Sequence, residues 1–210
     1  MAKKTTTSKT NAPPRHLPEE KIINTLTSLK HCVFPRPFER LALAGRRKLV
    51  GVEIGVLRGL HAESLLRHCH IKCLYLVDPY QDYAEYEEGR KHYGKDQAPL
   101  DVNLKECSRR LKRYEKRIVR VFKMSADALK DIPNNLDFVY IDGNHQLEFV
   151  REDIRNYYPK VRKGGILGGH DFYNGFQREH DGVVTAVAEF AVKNKLPLQV
   201  ELPDWWIEKP

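Results

Sequence analysis

Two short polar segments carry residues able to do acid–base or metal chemistry: Asp142-Gly143-Asn144-His145 and Gly168-Gly169-His170-Asp171. His145 is an imidazole whose ordinary pKa lies near neutrality, so it suits a proton acceptor; the alternative is a hydrogen-bonding or helix-capping role. Asn144 cannot accept a proton at neutral pH. If the two segments leave neighbouring strands, Asp142, His170 and Asp171 converge. Two carboxylates and an imidazole form a donor set for a divalent cation, Mg2+ or Mn2+ where oxygen dominates, Fe2+ or Zn2+ where imidazole does. A third group lies upstream: Glu53, Gly55 and Gly59 follow the spacing E-x-G-x-x-x-G, and Asp78 comes about twenty residues after the glycines.

The elements that position these groups are legible around them. Leu49 to Gly59, LVGVEIGVLRG, has β-branched residues at Val50, Val52, Ile54 and Val56, which predicts a strand buried on both faces. The glycines let the chain turn sharply out of the strand, expose bare backbone to a ligand and start a helix whose first amides point at it. Ala62, Leu65, Leu66 and Cys69 give that helix its apolar face. The spacing is neither G-x-G-x-x-G nor G-x-x-x-x-G-K-[ST], which argues for a nucleoside without a pyrophosphate, beside a carboxylate free to engage an amino group. Cys73 to Val77 is a second strand, closed by Asp78 where ribose hydroxyls lie in nucleotide-binding βαβ units.

Further strands are expected at Ile118 to Met124 and Phe138 to Ile141. Ser125 and Asp127 follow the first of these, with Asp127 placed to cap a helix. An amphipathic helix carries Leu147, Val150, Ile154, Tyr157, Tyr158 and Val161, with Arg151 and Glu152 solvated. Gly164-Gly165 reads as a turn before a short strand at Ile166-Leu167. A helix with Val183, Val187 and Phe190 on one face and two last strands follow, with Trp205 and Trp206 as core and sheet-edge residues. Pro18 to Lys30 has helical spacing at Ile22, Ile23, Leu26 and Leu29, and Leu100 to Tyr114 reads as a basic helix. Tyr80, Tyr83, Tyr86 and Tyr93 mark a segment that is either a lid over an acceptor or a solvated surface.

The 210 residues suit one domain. Of the net charge of +8, Lys3, Lys4, Lys9 and Arg15 lie in a stretch without acids and with few apolar residues, so residues 1–18 are expected to be a disordered basic tail and 19–210 the folded domain. No run approaches a membrane span and the tail has no apolar core for secretion, so a cytoplasmic protein is expected. The four cysteines form no C-x-x-C pair, and a reducing compartment follows. His68, Cys69, His70 and Cys73 cluster as zinc ligands would, or as buried thiols beside surface histidines.

The E-x-G-x-x-x-G turn followed by a strand and Asp78 resembles the class I S-adenosylmethionine-dependent methyltransferases. Leu136 to Phe172, LDFVYIDGNHQLEFVREDIRNYYPKVRKGGILGGHDF, is similar to the macrocin O-methyltransferase-like family of sugar and small-molecule O-methyltransferases, in which one strand ends in I-D-G-[DN]-H and the next in G-H-D. The resemblance covers roughly Leu49 to Pro210. It implies an α/β, Rossmann-like sheet of seven strands in the order 3-2-1-4-5-7-6, the last antiparallel, with helices on both faces. It implies S-adenosylmethionine held by Glu53, Gly55 and Gly59 at the methionine end, Asp78 at the ribose, Ser125 and Asp127 at the adenine, and Asp142 beside them. It assigns the chemistry to His145, Asp142 and Asp171, and Mg2+ or Mn2+ to Asp142, His170 and Asp171. In the similar catechol O-methyltransferase, aspartates ending these two strands bind Mg2+. The chain departs from the pattern at Asn144, where macrocin-type enzymes often carry an aspartate, and at His170, where an acidic or amide ligand stands.

The expected function is methyl transfer to a hydroxyl of a small acceptor, a sugar or glycoside ahead of a phenol, with nucleic acid and membrane disfavoured as partners and a homo-oligomer left open. RNA or protein methylation, motivated by the tail and the Lys105 to Arg117 segment, and a cofactor-binding module without catalysis, motivated by Asn144, are the alternatives.

Overall fold

Alternation along the first strand, β1 (Leu49–Ile54), decides where everything else sits. Val50, Val52 and Ile54 point to one side of the sheet, while Gly51 and Glu53 point to the other; the predicted β-branched face is therefore one face, and the second is left to a glycine and a buried acid. The structure, a computed structural model, describes residues 48–84, 97–172 and 181–210. The expected tail, the helix at Pro18 to Lys30, Cys32, Tyr86 and Tyr93 lie outside the described residues.

The chain then runs α1 (Leu60–His68), β2 (Ile71–Val77), α2 (Ala98–Leu111), β3 (Ile118–Val121), the single turn α3 (Ser125–Ala128), β4 (Leu136–Ile141), α4 (Leu147–Tyr157), β5 (Val161–Gly169), α5 (Asp181–Asn194), β6 (Leu198–Glu201) and β7 (Asp204–Glu208). The seven strands lie in the order β3-β2-β1-β4-β5-β7-β6. The first five are parallel, and β7 runs antiparallel to both β5 and β6. That is the expected sheet, and it brings the C-terminal ends of β1, β2, β4 and β5 to one edge, where ligands bind in open parallel sheets.

Two apolar layers cover the sheet. On one side, Val52, Ile54, Val139, Ile141 and Trp205 pack against Val150 and Ile154 of α4 and Val183 and Val187 of α5. On the other, Leu74, Leu76, Phe138 and Tyr140 pack against Ala62, Leu65 and Leu66 of α1 and Cys107 and Leu111 of α2. Trp205 is fully buried and Trp206 half-buried, in β7, which is flanked on both sides; the sheet edge is β6.

Several expected boundaries move: β3 ends at Val121, short of Met124, α4 ends at Tyr157 so that Val161 opens β5, and the largest change lies within β5. Gly164-Gly165 is not a turn ahead of a short strand but a bulge inside the nine-residue β5. The register advances from Val161 to Ile166 on β5 while β4 advances only from Leu136 to Phe138. The extra backbone is paired rather than lost: Gly164 N–H donates to the Lys209 carbonyl at 2.7 Å, and Lys209 N–H to the Gly165 carbonyl at 2.9 Å. No helix of the described residues is long and apolar enough to cross a membrane.

Candidate active site

The turn between β1 and α1 is held in shape by its neighbours. Gly55 has φ +80°, and a Cβ there would lie 2.0 Å from the Asp142 carbonyl oxygen, so only glycine lets the ends of β1 and β4 approach this closely. Asp78, at the end of β2, accepts the backbone N–H groups of Val56 and Leu57 on Oδ2 and of Tyr80 on Oδ1, each at 2.9 Å. Burial raises the Asp78 pKa above the usual carboxylate value, although those three donors pull the other way. Tyr80 closes the clamp by donating its hydroxyl to the Leu57 carbonyl at 2.7 Å.

A cavity of about 440 Å³ opens over this turn, within the range of a small-ligand site. Glu53, Gly55, Asp78, Ser125, Asp142, His145 and His170 all line it. Gly59, Asp127 and Asp171 do not. Gly59, with φ +71°, begins α1, and a Cβ there would meet Cys107 Sγ at 2.9 Å, so it serves the contact between α1 and α2. Asp127 is exposed in the first turn of α3. Of the tyrosines, Tyr80 is a buried clamp whose ring lines the cavity, and Tyr83 lines it too, near Phe149 and within 3.4 Å of Asn144 Nδ2.

Glu53 is 1% exposed, and burial drives its carboxyl above the ordinary range against the opposing effect of His61, whose Nδ1 stands 3.4 Å away. The His61 ring is stacked on Tyr140 at 3.8 Å. A desolvated carboxylate in a cavity is a natural seat for an ammonium group, whose charge restores the ionised form.

At the other end, Asp142, His145 and Asp171 bring one ligand atom each within 4.8 Å of one another, the one such His/Cys/Asp/Glu group among the described residues. His145 Nε2 lies 2.9 Å from Asp171 Oδ2 and 3.6 Å from Asp142 Oδ1. Asp171 has φ +58°, a left-handed turn that ends β5 beside the β4 loop. His145, rather than the expected His170, is the imidazole grouped with the two carboxylates. His170 is instead turned by Asp204: its Nδ1 is 2.8 Å from Asp204 Oδ1, which also accepts the Tyr140 hydroxyl at 2.8 Å, and its Nε2 is 3.9 Å from Asp171 Oδ1. Burial lowers the His170 pKa, but the Asp204 hydrogen bond and the charges of Asp142 and Asp171 outweigh it and push it up to about 9.

Asn144 is 7% exposed and its Oδ1 accepts the Gln146 N–H at 3.0 Å, fixing the turn into α4. His68, Cys69, His70 and Cys73 form no metal-holding group among the described residues; burial pushes the Cys69 thiol up to about 11, as for an inert core cysteine.

Three polar residues escaped the sequence reading. Asp204 lies 34 positions from its partner His170, and nothing in its local pattern signals that pairing. His61 and Asp153 sit at positions that helical spacing alone cannot separate from ordinary surface. Asp153 is 3% exposed, yet it lines the cavity.

A family model described as a methyltransferase domain matches residues 52–172, more than half of the chain. The chain is 27% identical over 129 residues to an uncharacterized protein of Acanthamoeba polyphaga mimivirus, covering 59% of this chain and 52% of that protein, so it spans about half the length of the curated relative it matches. Among solved structures, the O-methyltransferase NovP superposes with a TM-score of 0.60 at 18% identity, covering 90% of this chain and 79% of NovP. MycE methyltransferase from the mycinamycin biosynthetic pathway, in complex with Mg, SAH and mycinamycin VI, superposes with a TM-score of 0.55 at 17% identity, covering 83% of this chain and 48% of MycE.

Proposed function

The chain belongs to the methyltransferase-domain family, and on that premise we propose that it is a class I S-adenosylmethionine-dependent enzyme that methylates a hydroxyl of a small acceptor, a sugar or glycoside, with a divalent cation at Asp142, His145 and Asp171. The observation that carries this reading is the grouping of those three ligand atoms within 4.8 Å at the edge of the cavity.

The donor sets fit both groups. S-adenosylmethionine supplies, when bound, an electrophilic methyl on sulfonium. Glu53 takes the ammonium of the methionine end, since its carboxylate is buried in the cavity wall, where an ammonium restores its ionised form. Gly55 provides backbone without a side chain, Asp78 faces the ribose hydroxyls while it holds the turn, and Ser125 lies at the adenine end. Gly59 supports the turn from behind. Holding acceptor and methyl in line in this cavity would supply an alignment worth several kcal/mol, ~7 or more in favourable cases.

The hydroxyl must lose its proton. Asp142, Asp171 and His145 would hold a hard or borderline divalent cation, which would supply acidification of such a hydroxyl. With no cation bound, His145, between Asp142 and Asp171, is instead placed to take the proton itself, with both carboxylates stabilising the imidazolium. His170, turned by Asp204, presents Nε2 to Asp171 and is the further imidazole available to the cation. The likeness to MycE, solved with Mg, SAH and mycinamycin VI, and to the O-methyltransferase NovP supports a small acceptor methylated on oxygen with a cation nearby.

The test is a methyl-transfer assay on a mixed panel of glycosides and phenols, with and without EDTA. Turnover of a glycoside that EDTA abolishes and one cation restores is the expected result. Turnover that EDTA leaves unchanged moves the proton to His145 alone. Binding of S-adenosylhomocysteine without turnover on any hydroxyl would remove the acceptor class.

A further inference from the structure

Asp153 is the one acid in the cavity wall to which neither the motifs nor the chemistry above gives a task. It lies on α4, one turn beyond Phe149 and one turn before Tyr157. Phe149 and Asp153 both line the cavity, and Tyr157 donates its hydroxyl to the Ser125 carbonyl at 2.7 Å, so this stripe of α4 faces the corner where β3 ends and α3 begins. Asp153 is 3% exposed, and its Oδ1 finds no hydrogen-bond partner among the described residues. Ser125 hydrogen-bonds the same carboxyl group, and burial outweighs that bond, pushing the Asp153 pKa up to about 7. The nearby cation, Lys123, is drawn away by Asp131 at 2.6 Å.

A buried carboxyl oxygen without a donor is costly, and natural proteins keep such groups where a ligand supplies the missing partner. The position says which part of a ligand that is. Glu53 ends β1, Asp78 ends β2, and Ser125 follows β3; in the sheet order these strands are successive neighbours. A nucleoside with its ammonium at Glu53 and its ribose at Asp78 places its base at the β3 corner, beside Asp153. Asp127, expected there from sequence, is exposed and off the cavity wall.

We infer that Asp153 reads the base of the cofactor, its Oδ1 accepting a hydrogen from the exocyclic amino group of adenine while Ser125 holds the rest of the carboxyl. The inference rests on the reading of this cavity as the cofactor site. It makes Asp153 a specificity determinant: a base with an oxo group in place of the amino group sets two acceptors against each other.

Isothermal titration of the full chain with S-adenosylhomocysteine and with S-inosylhomocysteine, in which the amino group is replaced by oxo, tests this directly. At pH 8, where the Asp153 carboxyl is largely ionised, the wild type is expected to prefer the adenosyl compound by about tenfold or more, the size of one hydrogen bond to a charged group. Asp153→Asn, whose amide can donate to the oxo group or accept from the amino group, is expected to bring the two affinities within about threefold. A wild type that binds both compounds equally, or an Asp153→Asn protein that melts like the wild type and keeps the full preference, overturns the inference and leaves the cofactor site standing. A wild type that binds neither compound overturns the cofactor-site reading and this inference with it. The wild-type comparison needs no variant to fold.

Discussion

His145 Nε2 and Asp171 Oδ2 stand 2.9 Å apart, joining a loop that leaves β4 to a left-handed turn that ends β5. Neither group faces the cavity edge alone, so a change at one alters the other. Asp171→Ala is expected to lower affinity for Mn2+ or Mg2+ by at least ~100-fold, beyond the effect usual for outer-shell partners of a metal. Titration calorimetry with the bare cation measures this independently of turnover; unchanged cation affinity would dismiss the site.

Asp204→Asn breaks a different contact. Asp204 orients His170 and accepts the Tyr140 hydroxyl in a fully buried position. An amide there leaves His170 Nδ1 without its anionic partner. Methyl transfer is expected to fall ~10–100-fold, with KM for S-adenosylmethionine nearly unchanged because Asp204 lies off the cavity wall and reaches it through His170. A rise in that KM with kcat intact would contradict the orientation role.

Gly55→Ala tests the approach of β1 to β4. The added methyl would lie 2.0 Å from the Asp142 carbonyl oxygen on a backbone with φ +80°. The left-handed strain alone is worth ~1–2 kcal/mol, and the overlap adds to it. A lower melting temperature together with loss of S-adenosylhomocysteine binding is expected by thermal shift and calorimetry. A variant that melts and binds like the wild type would show that this turn tolerates a side chain.

Asp78→Ala removes the acceptor of three backbone N–H groups. The turn loses its support and its ribose-facing group together. The expected cost is ~1–3 kcal/mol for the part-buried Val56 and Tyr80 donors left unpaired, a drop in melting temperature of several degrees at this chain length, and a weaker cofactor complex. Intact affinity in a folded Asp78→Ala protein would refute the ribose assignment.

Asp153→Asn should stabilise the ligand-free protein, in a pH-dependent way. The native pKa near 7 lies above the ordinary 3.8, so both states are protonated at low pH and the penalty of burying a charge is then absent. As pH rises through 3.8 the unfolded chain ionises first, and the wild type loses stability until the native carboxyl ionises near 7. Above that the loss is constant, a few kcal/mol at most. Denaturant unfolding should show the variant ahead of wild type by ~1–3 kcal/mol at pH 8, with the gap closing towards pH 4. A gap of the same size at both pH values would remove ionisation as its cause. A substitution that stabilises the fold while loosening cofactor discrimination marks a residue kept for function.

The glycine spacing, the two acids that close β1 and β2, and the I-D-G-N-H and G-H-D blocks carried the resemblance that implied the order of the seven strands, and the structure brings Glu53, Gly55, Asp78, Ser125, Asp142, His145 and His170 around one cavity. Those signals are local: a β-branched run, a turn that needs glycine and an acid at a strand end are each set within a few residues of chain. The sequence alone could not say which imidazole joins Asp142 and Asp171, because that choice depends on Asp204, brought from β7 across the antiparallel pairing with β5. Nor could it separate Asp153 from the solvated acids of the same helix, since a carboxylate is buried or exposed according to how α4 rolls against the sheet and α3. Local pattern fixed the elements; the side-chain partners at the site came from long-range packing, which the period of a helix or strand does not encode.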